Sequence, residues 1–303
     1  MGDSRAARSA FDKALRANPE DARVLYERDQ LWKRAGESPK RRLAELERYP
    51  TLVSSRDDLS IELATLYNLT RQHEKALEVI GSRQFQPWEG GEGLALDEHV
   101  RTHLGLGRQA LAKGNPTEAR AFFEAAFHCP ENLGEAKHVL ANQSHVFYWL
   151  GVGFAASGDS AAARQWWQRA AGQKGDFQQM SVKPYSEMTY YSALALKRLE
   201  CHAEAEDLLR SVLKHAEELI RRPAVIDYFA TSLPTMLLFE DDLQMRNRIK
   251  GTFLKAQAYL GLGDGKKAQQ LINEVLSLDQ SYPFAADFLE ELELQLVDVS
   301  HSR

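Results

Sequence analysis

The chain has nine histidines and two cysteines, and few of them are spaced for chemistry. His99 and His103 stand four apart in Asp97-Glu98-His99-Val100-Arg101-Thr102-His103, so on a helix they share one face. Two such imidazoles can hold zinc, but a zinc site needs a third protein ligand. The zinc-protease pattern also requires Glu directly after the first His, where Val100 stands. The pair is expected to be packing or groove histidines, with no metal. Cys129 follows His128 and Cys201 precedes His202, without a Cys-x-x-Cys spacing. Both cysteines are expected to be small buried or half-buried residues rather than redox or metal groups. Glu89/Glu92 and Glu240/Asp241/Asp242 are carboxylate groupings of the kind that act on sugars. No motif fixes an acid beside a nucleophile. The glycine-rich run Trp88 to Gly93 lacks the Gly-Lys-Ser/Thr ending of a phosphate loop, and no Gly-x-Ser-x-Gly elbow occurs. The chain therefore reads as non-enzymatic, with no cofactor.

Composition narrows the partners. Over 303 residues, 38 basic and 43 acidic side chains give a formal net charge of -5. A nucleic-acid partner would need a basic surface, so none is expected. Apolar runs such as Met236-Leu237-Leu238-Phe239 fall far short of the ~20 residues that cross a bilayer, so no membrane role is expected. No apolar stretch follows Met1-Gly2-Asp3-Ser4-Arg5, and two cysteines make no disulfide framework. A reducing, cytoplasmic setting is expected.

The positioning elements come from a repeat. A small residue is followed twelve positions later by alanine at Ala64/Ala76, Gly107/Ala119, Gly151/Ala163, Ala193/Ala205 and Ala256/Ala268. Several pairs enclose a glycine, as in Lys113-Gly114-Asn115, Ser157-Gly158-Asp159 and Leu262-Gly263-Asp264. A large apolar residue stands four beyond the alanine: Ile80, Phe123, Trp167, Leu209 and Ile272. A small residue mid-helix lets a second helix approach closely, and a glycine allows the chain to reverse. The i, i+4, i+7 set is one face of the second helix. Each unit is thus a helical hairpin that buries its face only against stacked neighbours.

This pattern resembles the tetratricopeptide repeat, most clearly at Phe147-Tyr148-Trp149-Leu150-Gly151, Phe154, Gly158-Asp159, Ala163, Trp167 and Ala170. The resemblance implies an all-α fold, an open right-handed α-α superhelix. About six hairpins are expected, with single helices at both ends, in one domain over 1–303. Hairpins are expected at 22–49, 57–82, 99–128, 144–171, 186–215 and 248–278, the first distorted and ended by Pro50. Residues 1–19 match a second helix without its first, so the sequence is expected to be part of a longer chain. A helix over 284–296, rich in Glu and Leu, is expected to cap the last hairpin with a polar outer face.

The alanine-type positions fall at 7, 41, 76, 119, 163, 205 and 268, and the later intervals exceed 34 residues. The excess always lies between hairpins, at about 84–98, 130–144, 172–186 and 214–247, so the insertions are expected to share one rim. Rim binding candidates are Trp88, Glu89, Glu92, His138, Phe177, Tyr185, Tyr228, Phe229, Glu240 and Asp241. Solvent-facing aromatics converging with carboxylates would favour sugar binding, and buried aromatics would favour loop anchoring.

In the family that this pattern resembles, the concave groove is lined by the first helix of each unit. Carried over, this gives Asn68, Arg101, Arg108, His145, Tyr148, Tyr190, Lys197 and Lys250 as groove candidates, with Asp58, Glu187 and Gln257 beside them. Only Arg101 and Arg108 make a basic step, and Glu187 interrupts it. The loops Trp88–Gly93, Pro130–His138 and Tyr228–Pro234 look like the C-terminal repeat region of a bacterial family. In that family the repeats follow a β-rich, sugar-enzyme-like domain. The expected function is a non-catalytic scaffold that displays groove and rim to a protein or to an upstream domain of its own chain. The alternative is an accessory module of a carbohydrate-active enzyme whose rim loops touch sugar.

Overall fold

The computed structural model describes residues 4–88, 90–178, 181–224 and 242–301. Fifteen α-helices follow one another among them: α1 (Ser4–Ala17), α2 (Ala22–Arg34), α3 (Pro39–Leu46), α4 (Pro50–Ser54), α5 (Asp57–Leu69), α6 (His73–Gly81), α7 (Leu94–Ala112), α8 (Pro116–Phe127), α9 (Ser144–Ala156), α10 (Ser160–Ala171), α11 (Thr189–Arg198), α12 (His202–Arg221), α13 (Leu243–Gly261), α14 (Gly265–Leu278) and α15 (Pro283–His301). Short strands β1 (Asp176–Gln178) and β2 (Ser181–Lys183) form an antiparallel hairpin in the third insertion, with Phe177 opposite Val182.

Helices α5 to α14 pair as five hairpins. The first helix of each also touches the first helix of the next, from α5 through α7, α9 and α11 to α13. These first helices make an inner layer and the second helices an outer one, which is an all-α, α-α superhelix. The alanine spacing is the cause. Ala64, Ala76, Ala119, Ala163, Ala193, Ala205, Ala256 and Ala268 are all fully buried where paired helices meet. A Cβ on Gly107 would stand 2.2 Å from the Phe123 ring, and one on Gly151 2.3 Å from Trp167. Turn residues Gly36, Gly114, Gly158 and Gly263 take positive φ, as a reversing chain needs. Asp159, Asp242 and Asp264 accept from backbone N–H groups at the starts of α10, α13 and α14. One apolar core runs from Leu15 to Phe288.

Two readings change. Pro50 does not end a helix but opens α4, where its missing N–H costs nothing; α3 already stops at Leu46. The last helix also differs from a polar cap. It touches α14 but lies against the inner helices α5 and α7, so the superhelix is not open along this stretch.

Candidate functional site

Two surfaces stand out, the insertion rim and the groove. The three described insertions bond to one another in a row. The Phe85 N–H donates to the Asn132 carbonyl (2.7 Å), and Asn132 Nδ2 donates to the carbonyls of Ile80 (2.9 Å) and Arg83 (3.0 Å). Gly134 takes a positive φ there, and a Cβ on it would meet the Phe85 carbonyl oxygen at 2.5 Å. The Gly93 N–H donates to Glu135 (2.7 Å). The second insertion meets the third through the Asn142 N–H on Asp176 (2.8 Å) and Asn142 Nδ2 on the Gly175 carbonyl (2.8 Å). Burial pushes the Asp176 carboxyl up. Lys137 Nζ donates to the carbonyls of Ala126 and Phe127 at the end of α8 (both 2.9 Å), and burial lowers its pKa to about 8.

Trp88 is half-buried against the core and folds over Gly91, where a Cβ would stand 2.0 Å from the indole. Glu92 is exposed and accepts from the Gly90 N–H (2.8 Å). His138 is exposed and stacks on Phe177, their rings 3.9 Å apart and 13° from parallel. Tyr185 sits against His215, ring centroids 5.3 Å apart, beside the small cluster of Val212, Ala216, Leu254 and Ala258. Glu89, Tyr228, Phe229, Glu240 and Asp241 lie outside the described residues. Sequence reasoning missed the apolar part of the rim. Val139 is 92% exposed, Val182 63%, Leu140 58% and Leu94 43%, and all four stand on the insertions or at their ends. Large apolar residues inside otherwise polar loops were the available signal.

The groove is lined as the inner helices dictate, but α15 fills its middle. Arg101 forms a bidentate pair with Asp287 (2.8 and 2.9 Å) and also reaches Glu98 (2.7 Å). Arg108 donates to Glu290 and Glu291, both at 3.2 Å. Asn68 donates to Glu98 (2.8 Å) and Thr102 (2.9 Å), and its carbonyl meets His73 Nδ1 (2.8 Å). His73 Nε2 lies 3.3 Å from Glu290. Tyr190 is buried edge-on against Phe288, centroids 5.3 Å apart. Tyr148 is buried near Tyr191 (6.0 Å), and His145 lies half-buried at 6.1 Å from the same ring. Lys197 Nζ donates to the Gly261 carbonyl. Lys250 lies 3.4 Å from Glu187 and donates to Gln178 (2.5 Å). Burial works against the Glu187 charge, but Lys250, Gln178 and Tyr282 outweigh it and hold its carboxyl below the usual range.

Charge balance inside the groove is uneven. Burial opposes ionisation of Glu290, and His73 and Arg108 overcome it, drawing the carboxyl down to about 2. Burial dominates at Glu291, which is pushed up to about 7 although Arg108 and the Tyr191 hydroxyl (2.7 Å) face it. His99 and His103 pack together on α7 with ring centroids 4.2 Å apart, His99 Nε2 donating to the Ala125 carbonyl (3.1 Å) and His103 Nδ1 to the His99 carbonyl (2.8 Å). No cluster able to hold a metal ion occurs among the described residues. None of the described helices is long and apolar enough to cross a membrane.

Models of the tetratricopeptide repeat match residues 1–50, residues 100–125 and 144–169, and residues 252–282. Four segments of the chain thus match the tetratricopeptide repeat. The matched segments cover α1–α3, most of α7–α8 and α9–α10, and most of α13–α14, while α5–α6 and α11–α12 are hairpins of the same architecture outside the matches. Several solved structures are similar over most of the chain at low identity. The Cut9-Hcn1 hetero-tetramer of the APC/C is 14% identical over 95% of this chain and 46% of that one, with a TM-score of 0.40. The TPR domain of P58(IPK) is 16% identical over 100% and 96%, with a TM-score of 0.30. YrrB, a TPR protein with an unusual peptide-binding site, is 16% identical over 93% and 98%, with a TM-score of 0.24. The chain thus spans less than half the length of the Cut9-Hcn1 chain it matches.

Proposed function

We propose that this chain is a non-catalytic protein-interaction scaffold that docks a protein surface, on a separate partner or on another domain of its own chain, along its insertion rim. One observation carries the reading. Among the described residues, the exposed large hydrophobics Leu94, Val139, Leu140 and Val182 all stand on the rim insertions or at their ends, and the outer helices carry none. Scattered exposed apolar residues are ordinary, whereas a cluster of them marks an interaction site. The cluster is held in place. His138, next to Val139, stacks on Phe177, which faces Val182 across the β hairpin. A solenoid built of tetratricopeptide repeats presents such a rim at little ordering cost, because the loops are already fixed to the helices.

The experiment is proximity labelling in the source cells, with the native chain and a Val139→Asp/Val182→Asp variant as baits. Proteins labelled by the native chain and lost with the variant are rim partners. Identical labelling sinks the rim reading. The carbohydrate-module alternative asks for a solvent-facing Trp88, and the folding of its indole over Gly91 supports loop anchoring instead. Calorimetry against an oligosaccharide panel tests that alternative directly.

A further inference from the structure

The groove holds an occupant made by the chain itself, and the chemistry of the contact specifies what else would fit. From α15, Asp287 meets Arg101, Glu290 meets His73 and Arg108, Glu291 meets Arg108 and Tyr191, and Glu293 meets Arg71 at 2.5 Å. Two side chains, Ala285 and Phe288, supply the fully buried apolar part, with Phe288 edge-on to Tyr190 and Phe253. This contact is mostly carboxylate on cation.

Buried ion pairs add little net stability, because desolvation cancels most of the attraction, yet a buried cation left alone is costly. The groove therefore demands carboxylates without demanding these particular ones. The groove residues that meet these acids are also set in place from the groove side. Glu98 holds Arg101 (2.7 Å), and Asn68 bonds both Glu98 (2.8 Å) and His73 (2.8 Å). The seat is imperfect as well: Arg108 Nε is buried with no hydrogen-bond partner, and Glu291 is buried in an environment that resists its charge. Releasing α15 breaks no hairpin, since α13 and α14 pair with each other and with the rest of the stack.

We propose that the groove over α5 and α7 is a receptor for an acidic amphipathic helix, that α15 occupies it in the resting chain, and that a partner protein's helix of the same pattern displaces α15. The pattern is a small residue, then an acid and an aromatic two and three positions on, then acids two, three and five beyond the aromatic, as in Ala285, Asp287, Phe288, Glu290, Glu291 and Glu293. The occupied groove is a different face from the rim, so the two readings stand or fall separately.

Two measurements on the full chain test it. The first is hydrogen exchange followed by mass spectrometry. Amides of 283–293 should exchange through local opening, ~tenfold or more faster than equally buried amides of α7, because a displaceable helix must open without global unfolding. Exchange of α15 only at the rate of the α7 core would make it a permanent part of the core and overturn the proposal. The second is fluorescence anisotropy with a labelled synthetic peptide spanning 283–301 as the stand-in partner. Weakening the resident competitor with Asp287→Arg/Glu290→Arg should tighten peptide binding ~tenfold or more, since apparent affinity scales with the open fraction. A peptide bearing the same two changes should not bind. A variant that keeps native helical circular dichroism and takes up no more peptide than the native chain overturns the receptor claim. If the variant does not fold, uptake of the native peptide by the native chain decides, and its absence even at high peptide concentration overturns the claim. Val139→Asp/Val182→Asp should leave peptide uptake unchanged.

Discussion

His99 is buried on α7, and burial together with His103 draws its pKa down to about 4. In the unfolded chain an imidazole titrates near 6.5. The folded form thus resists a proton that the unfolded form accepts, and the stability from neutral His99 is present above about pH 6.5 and lost as pH falls toward 4. Glu291 works the other way. Its folded pKa of about 7 lies above the ordinary 4.5, so its contribution is full below 4.5 and lost as pH rises to about 7. Between about pH 4.5 and 6.5 the two oppose each other. His99→Gln removes one side. On acidification from pH 7 to pH 5 that variant should gain about 2 kcal/mol relative to the native chain, read from urea midpoints. An unchanged difference between the two pH values would mean that His99 is not held neutral by its surroundings.

At the scale of elements, two turns depart from the glycine rule. Between α5 and α6 stands Arg71 at φ 61°, and between α11 and α12 stands Glu200 at φ 66°, where other hairpins place Gly114, Gly158 and Gly263. A side chain in left-handed backbone costs about 1–2 kcal/mol, part of which glycine gives back through the freedom of its unfolded chain. Glu200→Gly should stabilise by roughly 0.5–1 kcal/mol in chemical denaturation. Arg71→Gly should gain less, because Arg71 also reaches Glu293 on α15 (2.5 Å). A loss of stability in Glu200→Gly would contradict the strain. The same scale explains what the sequence made legible. Close helix approach requires a small residue at one place in each helix, so the hairpin frame is written as a local spacing. The destination of α15 is not local. Its Glu- and Leu-rich pattern looks alike whether the acids face water or arginines, and Arg101 and Asp287 are 186 residues apart. The repeat register could propose a groove lining, but nothing in it could reveal that α15 lies against Arg101 and Arg108. The rim aromatics were readable as loop residues, but which apolar side chains stay exposed depends on contacts between insertions, such as His138 on Phe177.

For the molecule as a whole, the decisive residue is Arg42, fully buried on α3. Its guanidinium pairs with Asp29 on α2 (2.6 and 3.0 Å) and with Glu62 on α5. It also donates to Ser281 (3.0 Å), which lies 239 residues away in the segment leading into α15. Gln280 adds a bond to the Gly36 carbonyl at 3.5 Å. The first repeats are therefore tied to the chain's far end, and the superhelix closes on itself through a buried charge. In a linear stack a substitution disturbs only its neighbours. Here it should disturb both ends. Arg42→Met leaves Asp29 without its cation and Glu62 with Lys33 and Gln30 alone, which should cost about 3–5 kcal/mol. In hydrogen exchange the amides of α2, α3 and α5 should open faster, and those of 279–293 with them, while α9 and α10 keep native rates. Faster exchange confined to α2, α3 and α5 would show that the Ser281 contact carries no coupling, and that the superhelix behaves as a linear stack whose ends merely touch.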